Sequence, residues 1–171
     1  MTPNRPLTGR RSELRGSGGW RARCLASLLV VATAAGCKGA AAGPVVELSS
    51  EHGTVRVPVE LALTREQLGR GLMWRDDLAS DAGMLFVFAD DVARSFWMKN
   101  TPLPLDIVFI DAASKVVNVA ENTTPFSTAP IRSTAPARYV LEVNAGFARR
   151  NGIVAGSKVT LPDLSTGEPG K

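Results

Sequence analysis

The chain has 171 residues, with 20 Lys and Arg against 16 Asp and Glu, a formal net charge of +4 and a sequence pI near 9.5. The charge is uneven: residues 1–36 carry six Arg and Glu13, net +5, whereas residues 37–171 carry 14 basic and 15 acidic side chains, net −1. The basic pI therefore belongs to the leading stretch, argues against nucleic acid as a partner of the remainder, and leaves about 135 residues for one small domain.

Residues 1–36 have the three parts of an export signal. A positive region runs to Arg23, and an apolar stretch of 13 residues follows, CLASLLVVATAAG. That stretch is too short to cross a hydrocarbon layer as a stable helix, so it reads as a signal-peptide core. Ala34-Ala35-Gly36-Cys37 resembles a bacterial lipobox, with Ala34 where Leu is usual. In signals of that kind the cysteine sulfur receives a diacylglycerol, the leader is cut before it, and the new amino group is acylated. More than one acyl chain gives durable anchoring. The expectation is a lipoprotein held through Cys37 at the periplasmic face of the outer membrane, where Lys38 rather than Asp after the cysteine points. Ordinary secretion with cleavage near Ala35, or an uncleaved anchor, is the alternative. Cys24 leaves with the leader, so the mature fold has no disulfide or thiolate metal site available. Residues 37–44 form a short tether.

The domain is expected over residues 45–163, with 164–171 a frayed tail. VVELS at 45–49 is a first strand. Val55, Val57, Val59 and Leu61 then alternate with polar neighbours as a second strand. Pro58 lacks a donor and places that strand at an edge or a bulge. Thr64 and Gln67 form a capping box for a helix of about two turns, limited by Gly69 and Gly71. Strands follow at 84–88 and 95–98. Thr101-Pro102-Leu103-Pro104 makes a kinked link into a strand at 105–110, which a turn at 111–114 joins to 115–120. The polar segment 121–136 lacks periodicity and is either disordered or functional. A strand at 138–143 leads to Asn144 as the cap of a short helix, with Gly152 at its C′ position, and a last strand begins at Lys158. Seven or eight strands with two short helices describe a mainly β fold (α+β in detail), a compact sandwich or a partly open barrel.

The common catalytic sets are missing. His52 is the single histidine and sits beside Gly53 in a turn, and no GxSxG elbow occurs. Asp76, Asp77 and Asp81 could offer oxygens to calcium, but hydrated turn charge is the plainer account. Neither a metal nor another cofactor is expected. What remains is a polar set in apolar surroundings: Lys99 and Asn100 after Phe96-Trp97-Met98, Asp106 within PLPLDIVFI, and Glu142 and Asn144 in YVLEVNAG. A carboxylate in an apolar strand needs a partner, so an ion pair of Asp106 with Lys99 or Arg138 is expected. Three arrangements follow. Asp106 can accept donors from the Met98–Pro104 turn as a purely structural network. A ligand cleft can form between Phe96, Trp97 and the 121–136 loop, with Lys99, Asn100, Asp106, Glu142 and Asn144 as polar contacts. Or Asp106 or Glu142 can work with Lys99 in acid–base catalysis, the two carboxylates dividing the roles only where their environments set their pKa values apart.

The strings GLMWRDDLASDAGMLFVF (71–88), SFWMKNTPLPLDIVFIDAASKVV (95–117) and APARYVLEVNAGFARRNGIVAGSKV (135–159) resemble the DUF192 family, also called UPF0127. The similarity runs from about Val55 to Leu161. It implies a small, mostly β domain, often secreted or lipid-anchored, without an established activity. Its recurring positions fall on Gly71, Met73, Gly83, Met84, Phe96 to Thr101, Pro104, Asp106, Glu142 and Asn144 to Gly146. Together these readings give a lipid-anchored envelope domain, a non-enzymatic binding or accessory module for a small molecule, a glycan or an envelope protein. The alternatives are a carboxylate-dependent hydrolase or lyase and a purely structural interaction module.

Overall fold

In the computed structural model, residues 43–164 are described; residues 1–42, which hold the expected leader and Cys37, and residues 165–171 lie outside them. Alternation of apolar and polar side chains marks the first two strands, whereas the central strands are near-continuous buried runs. The strands are β1 (Val45–Ser50), β2 (Gly53–Ala62), β3 (Gly83–Val92), β4 (Ser95–Phe96), β5 (Leu105–Ile110), β6 (Val116–Ala120), β7 (Ile131–Arg132), β8 (Ala137–Asn144) and β9 (Lys158–Thr160). Helix α1 (Arg65–Arg70) starts at Thr64, whose hydroxyl accepts from the Gln67 amide while the Gln67 side chain accepts from the Thr64 amide. Helix α2 (Phe147–Asn151) ends at Gly152 in the left-handed region, as the sequence implies.

Seven strands form one sheet in the order β6-β5-β8-β3-β2-β1-β9, and β4 pairs only with β7. All pairs are antiparallel except β2 with β3, which α1 and its flanking turns connect. The sheet curls into a half-barrel. Its two edges meet at one end, where the Val116 amide donates to Ser157 O at 2.9 Å and the Val159 amide donates to Ser114 O at 2.9 Å. A partly open barrel is therefore the form taken, because right-handed twist and short edge strands let the edges find each other.

Curling divides the apolar residues into two clusters. Val46, Val57, Leu85, Val108, Leu141 and Val143 pack with Phe147 of α2 inside the curl. Phe86, Ile107, Phe109 and Val140 lie on the outer face, covered by Leu72 and Met98 from the long connections. Consecutive strand residues alternate between these clusters, so a position's parity decides which face it serves.

One local expectation is corrected and one open alternative is decided. Strand β2 is interior, flanked by β1 and β3, despite Pro58. The Val59 amide points to β1 and donates to Pro44 O, so the proline nitrogen points to the β3 side. The β2–β3 ladder begins one residue later, at Val59 opposite Gly83, and the missing donor interrupts no bond. The 121–136 segment is tied down along its length. Thr123 is buried, with its hydroxyl accepting from the Leu105 amide at 3.2 Å and near Leu105 O at 2.9 Å, and the segment supplies β7.

Candidate functional site

Asp106 and Glu142 sit on adjacent strands but on opposite faces of the sheet. Ile107 pairs with Glu142, whereas Asp106 pairs with Val143. Asp106 thus shares the inner face with Val108 and Ile110 and has no exposed surface. Its Oδ1 accepts from the amides of Asn122 at 2.8 Å and Gly146 at 3.1 Å, and its Oδ2 accepts from the amide of Ala148 at 2.8 Å. Helix α2 has no side-chain cap of its own, since its N-cap is Gly146 in the left-handed conformation. Asp106 supplies that acceptor from another strand, and a carboxylate at a helix start suits the unpaired amides there.

This overturns three expectations. Among the described residues no ion pair reaches Asp106: the Lys99 ammonium lies 5.1 Å over the Trp97 ring, and Arg138 Nε is buried without a hydrogen-bond partner. The donors to Asp106 come from Asn122, Gly146 and Ala148, not from the Met98–Pro104 turn. Asn144 is not the cap of α2; its amide donates to Leu78 O at 3.2 Å and Ala79 O at 2.9 Å and clamps the link into β3.

Glu142 has the opposite environment. It lies on the outer face between Met84 and Ile107 of the neighbouring strands and is only 5% exposed. Its Oε2 is buried and accepts no hydrogen bond. Burial alone raises its pKa to about 8, because the charged form loses its hydration and gains nothing in return. Above the carboxyl is a pocket with room of about 40 Å³, lined among others by Leu68, Gly71, Leu72, Phe86, Phe96 and Thr101. That is space for one small polar group, far below the size of a drug-like site. Gly71 makes the close wall possible. Its φ is +50°, and a Cβ there would come 2.9 Å from the Phe86 ring and 3.6 Å from Glu142 Oε2.

Trp97 stands at the mouth of this pocket with 48% of its surface exposed. Trp74 and Phe126 are exposed still further, at 64% and 63%. All three belong to one assembly around the 97–101 turn. The Trp74 amide donates to Asn100 O at 2.7 Å, the Phe126 amide donates to Thr101 O at 3.1 Å, and the Met98 amide donates to Ser127 O at 2.9 Å. Trp74, Asn100 and Phe126 all have positive φ, at 59°, 55° and 61°. For bulky aromatic side chains that conformation is costly and persists only where the surroundings enforce it. Next to Trp74, Arg75 grips the Glu60 carboxylate with Nη1 and Nη2, each at 2.5 Å.

Of the residues picked from sequence, Phe96, Trp97 and Glu142 meet at one pocket, and Asp106 does not reach it. Lys99 is exposed against Trp97, and Asn100 serves through its backbone. The 121–136 loop walls a second groove beside Trp97, formed with Ser95, Thr128 and Pro130, whereas residues 68–73 wall the Glu142 pocket. Sequence reasoning missed Trp74, Phe126, Phe86 and Arg70. A signal for the first two existed: a Trp and a Phe in polar, turn-rich segments, outside any periodic strand. Among the described residues no three His, Cys, Asp or Glu side chains gather where they could hold a metal.

Comparison with known proteins fits this architecture. A crystal structure of a protein of unknown function from Novosphingobium aromaticivorans superposes with a TM-score of 0.68 at 35% identity, covering 70% of this chain and 94% of that one. A second crystal structure, of a candidate transcription regulator from Sinorhizobium meliloti, superposes with a TM-score of 0.67 at 41% identity, covering 69% and 92%. None of the curated proteins compared with the chain matches it. The model of the DUF192 family, described as an uncharacterized ACR, matches residues 46–161, and the chain belongs to that family.

Proposed function

We propose that this protein is an exported lipoprotein, acylated at Cys37 and carried on the periplasmic face of the outer membrane, whose domain is a non-enzymatic binding module. The observation that carries the binding role is the buried Glu142 carboxyl, its Oε2 unpartnered, in a pocket edged by the exposed Trp97, with Trp74 and Phe126 exposed on segments bonded to the same 97–101 turn. A buried carboxyl left without a partner costs stability, and a carboxyl with a perturbed pKa in a cleft is a candidate functional group. Exposed Trp and Phe side chains on a rigid turn add contact area with little ordering cost. The partner is a small molecule, or the small polar end of a glycan or envelope protein.

The hydrolase or lyase alternative asked for Asp106 or Glu142 at a cleft with a raised pKa, working with Lys99. Glu142 meets the first condition, but Asp106 lies on the opposite face saturated by amides and Lys99 rests over Trp97, so the pocket's lining offers Glu142 no second acid or base, which favours binding over catalysis. The Sinorhizobium protein is described as a candidate transcription regulator, and DNA is one contact such a description raises. A net charge of −1 over residues 37–171 provides no general basic surface for that, so we keep nucleic acid outside the proposal.

Two experiments test the reading. Metabolic labelling with a palmitate analogue should mark the chain in the membrane fraction, and Cys37→Ser should abolish the label and release the protein. An unlabelled, soluble wild-type chain would refute the anchor. In a thermal-shift screen of envelope metabolites, hits should be lost in Glu142→Gln and Trp97→Ala while both variants stay folded. Hits that survive both changes would refute the site.

A further inference from the structure

The binding reading leaves the ligand's chemistry open, and the pocket's walls narrow it. Glu142 is the only carboxylate among the described residues with a buried, unpartnered oxygen. Phe86, Phe96 and Trp97 line the same space and shield the carboxyl from water, so a charged partner there interacts strongly. The fourth wall is the C-terminal turn of α1, residues 68–71, where a helix leaves carbonyls rather than amides without intrahelical partners. A buried carboxylate and a helix C-terminus both favour positive charge. Among the lining residues the only charged groups are Glu142 on β8 and Arg70 on α1. Met84 of β3 and Ile107 of β5 flank Glu142 with no charge, and Lys99, from the 97–101 turn, is turned onto the Trp97 ring. No ion pair joins Arg70 to Glu142 among the described residues, so the internal cation leaves the buried carboxyl unmatched.

Resting on the binding role proposed above, we infer that the Glu142 pocket receives the primary ammonium end of a small amine, seated on the carboxylate between Phe86, Phe96 and Trp97. The room of about 40 Å³ suits a group the size of one or two waters and excludes a bulky quaternary ammonium. The proton balance is simple. With a pKa raised to about 8, Glu142 is mostly protonated at neutral pH, and it gives up that proton to solvent when the ammonium binds. Binding therefore tightens as pH rises toward 9, while an alkyl amine with a pKa near that of lysine, about 10.4, keeps its charge.

The test is an NMR titration of the full chain in detergent micelles with methylammonium, tetramethylammonium and acetamide, read at the Trp97 indole N–H. Methylammonium should bind in the ~mM range open to so small a ligand, at least ~10-fold tighter at pH 9 than at pH 6. Glu142→Gln should remove that binding, and tetramethylammonium should not bind. The pH dependence in the unaltered chain stands even if the variant fails to fold. Affinity for methylammonium that does not change with pH, or that survives in a folded Glu142→Gln, overturns the ammonium assignment. Acetamide binding without methylammonium binding also overturns it but leaves the pocket a binding site. Silence of Trp97 to all three probes ends both readings.

Discussion

Asp106 and Glu142 are two acids one strand apart, both inside apolar surroundings, and their fates differ completely. Asp106 faces the inside of the curl, where the start of α2 and the Asn122 amide give it three donors. Glu142 faces outward under α1 and the 97–101 turn, where apolar and aromatic walls leave one oxygen without any. The first holds a helix, a loop and a strand together. The second weakens the fold and, in the role proposed above, keeps a binding group ready. The difference teaches that burial of a carboxylate says nothing about its role until its donors are counted.

The largest effect should come from the saturated acid. Asp106→Ala leaves three amides without their acceptor and should cost about 3–5 kcal/mol. In a domain of this size that lowers the melting temperature by more than ~10 °C. A melting temperature within a few degrees of wild type would show that Asp106 is not the link described.

Glu142→Gln should move stability the other way. The folded pKa of about 8 lies above the ordinary value of 4.5, so between these pH values the folded state holds a proton that the unfolded state has lost. Stability from this group is thus full below about pH 4.5 and declines as pH rises to about 8, by roughly 1.4 kcal/mol per unit. The glutamine variant should lack that decline and should be roughly 3 kcal/mol more stable than wild type at pH 7, relative to their difference at pH 4. Urea unfolding at several pH values measures both slopes. Parallel curves for the two proteins would contradict the unpaired state of Glu142.

Gly71→Ala sharpens the contrast on the pocket side alone. A side chain at φ +50°, with Cβ 2.9 Å from Phe86, should cost about 1–2 kcal/mol and push the wall away from Glu142. Ligand-induced stabilisation should fall with it, and its persistence would separate Gly71 from the site. The smallest effect belongs to the rim. Trp74→Gly relieves positive φ at an exposed position and should be neutral or stabilising by up to ~1 kcal/mol in the same unfolding assay. A clear loss of stability would mean that the indole packs more than its exposure implies.

Local pattern in the chain was enough for much of the fold. The alternation in 45–62 and 105–120, the Thr64–Gln67 capping box and the glycine closing α2 each depend on residues within a few positions of one another. The mainly β class and the family followed from such segments and their order. The proposed leader and its cysteine rest on the same kind of local pattern, a run of charge, an apolar run and small residues.

The site was legible in its ingredients and not in its assembly. Phe96, Trp97 and Glu142 drew notice as aromatic and charged residues in unusual company, and so did Asp106, which proved to belong to the opposite face. Sequence determined that two carboxylates had to be reconciled with apolar strands. Only the tertiary structure decided which one received partners, because those partners arrive from residues 16, 40 and 42 positions away. Strand parity assigns a face, but the contents of each face are set by how the sheet curls and what folds over it. Trp74 and Phe126 meet the 97–101 turn for the same reason, through backbone bonds that no local pattern encodes.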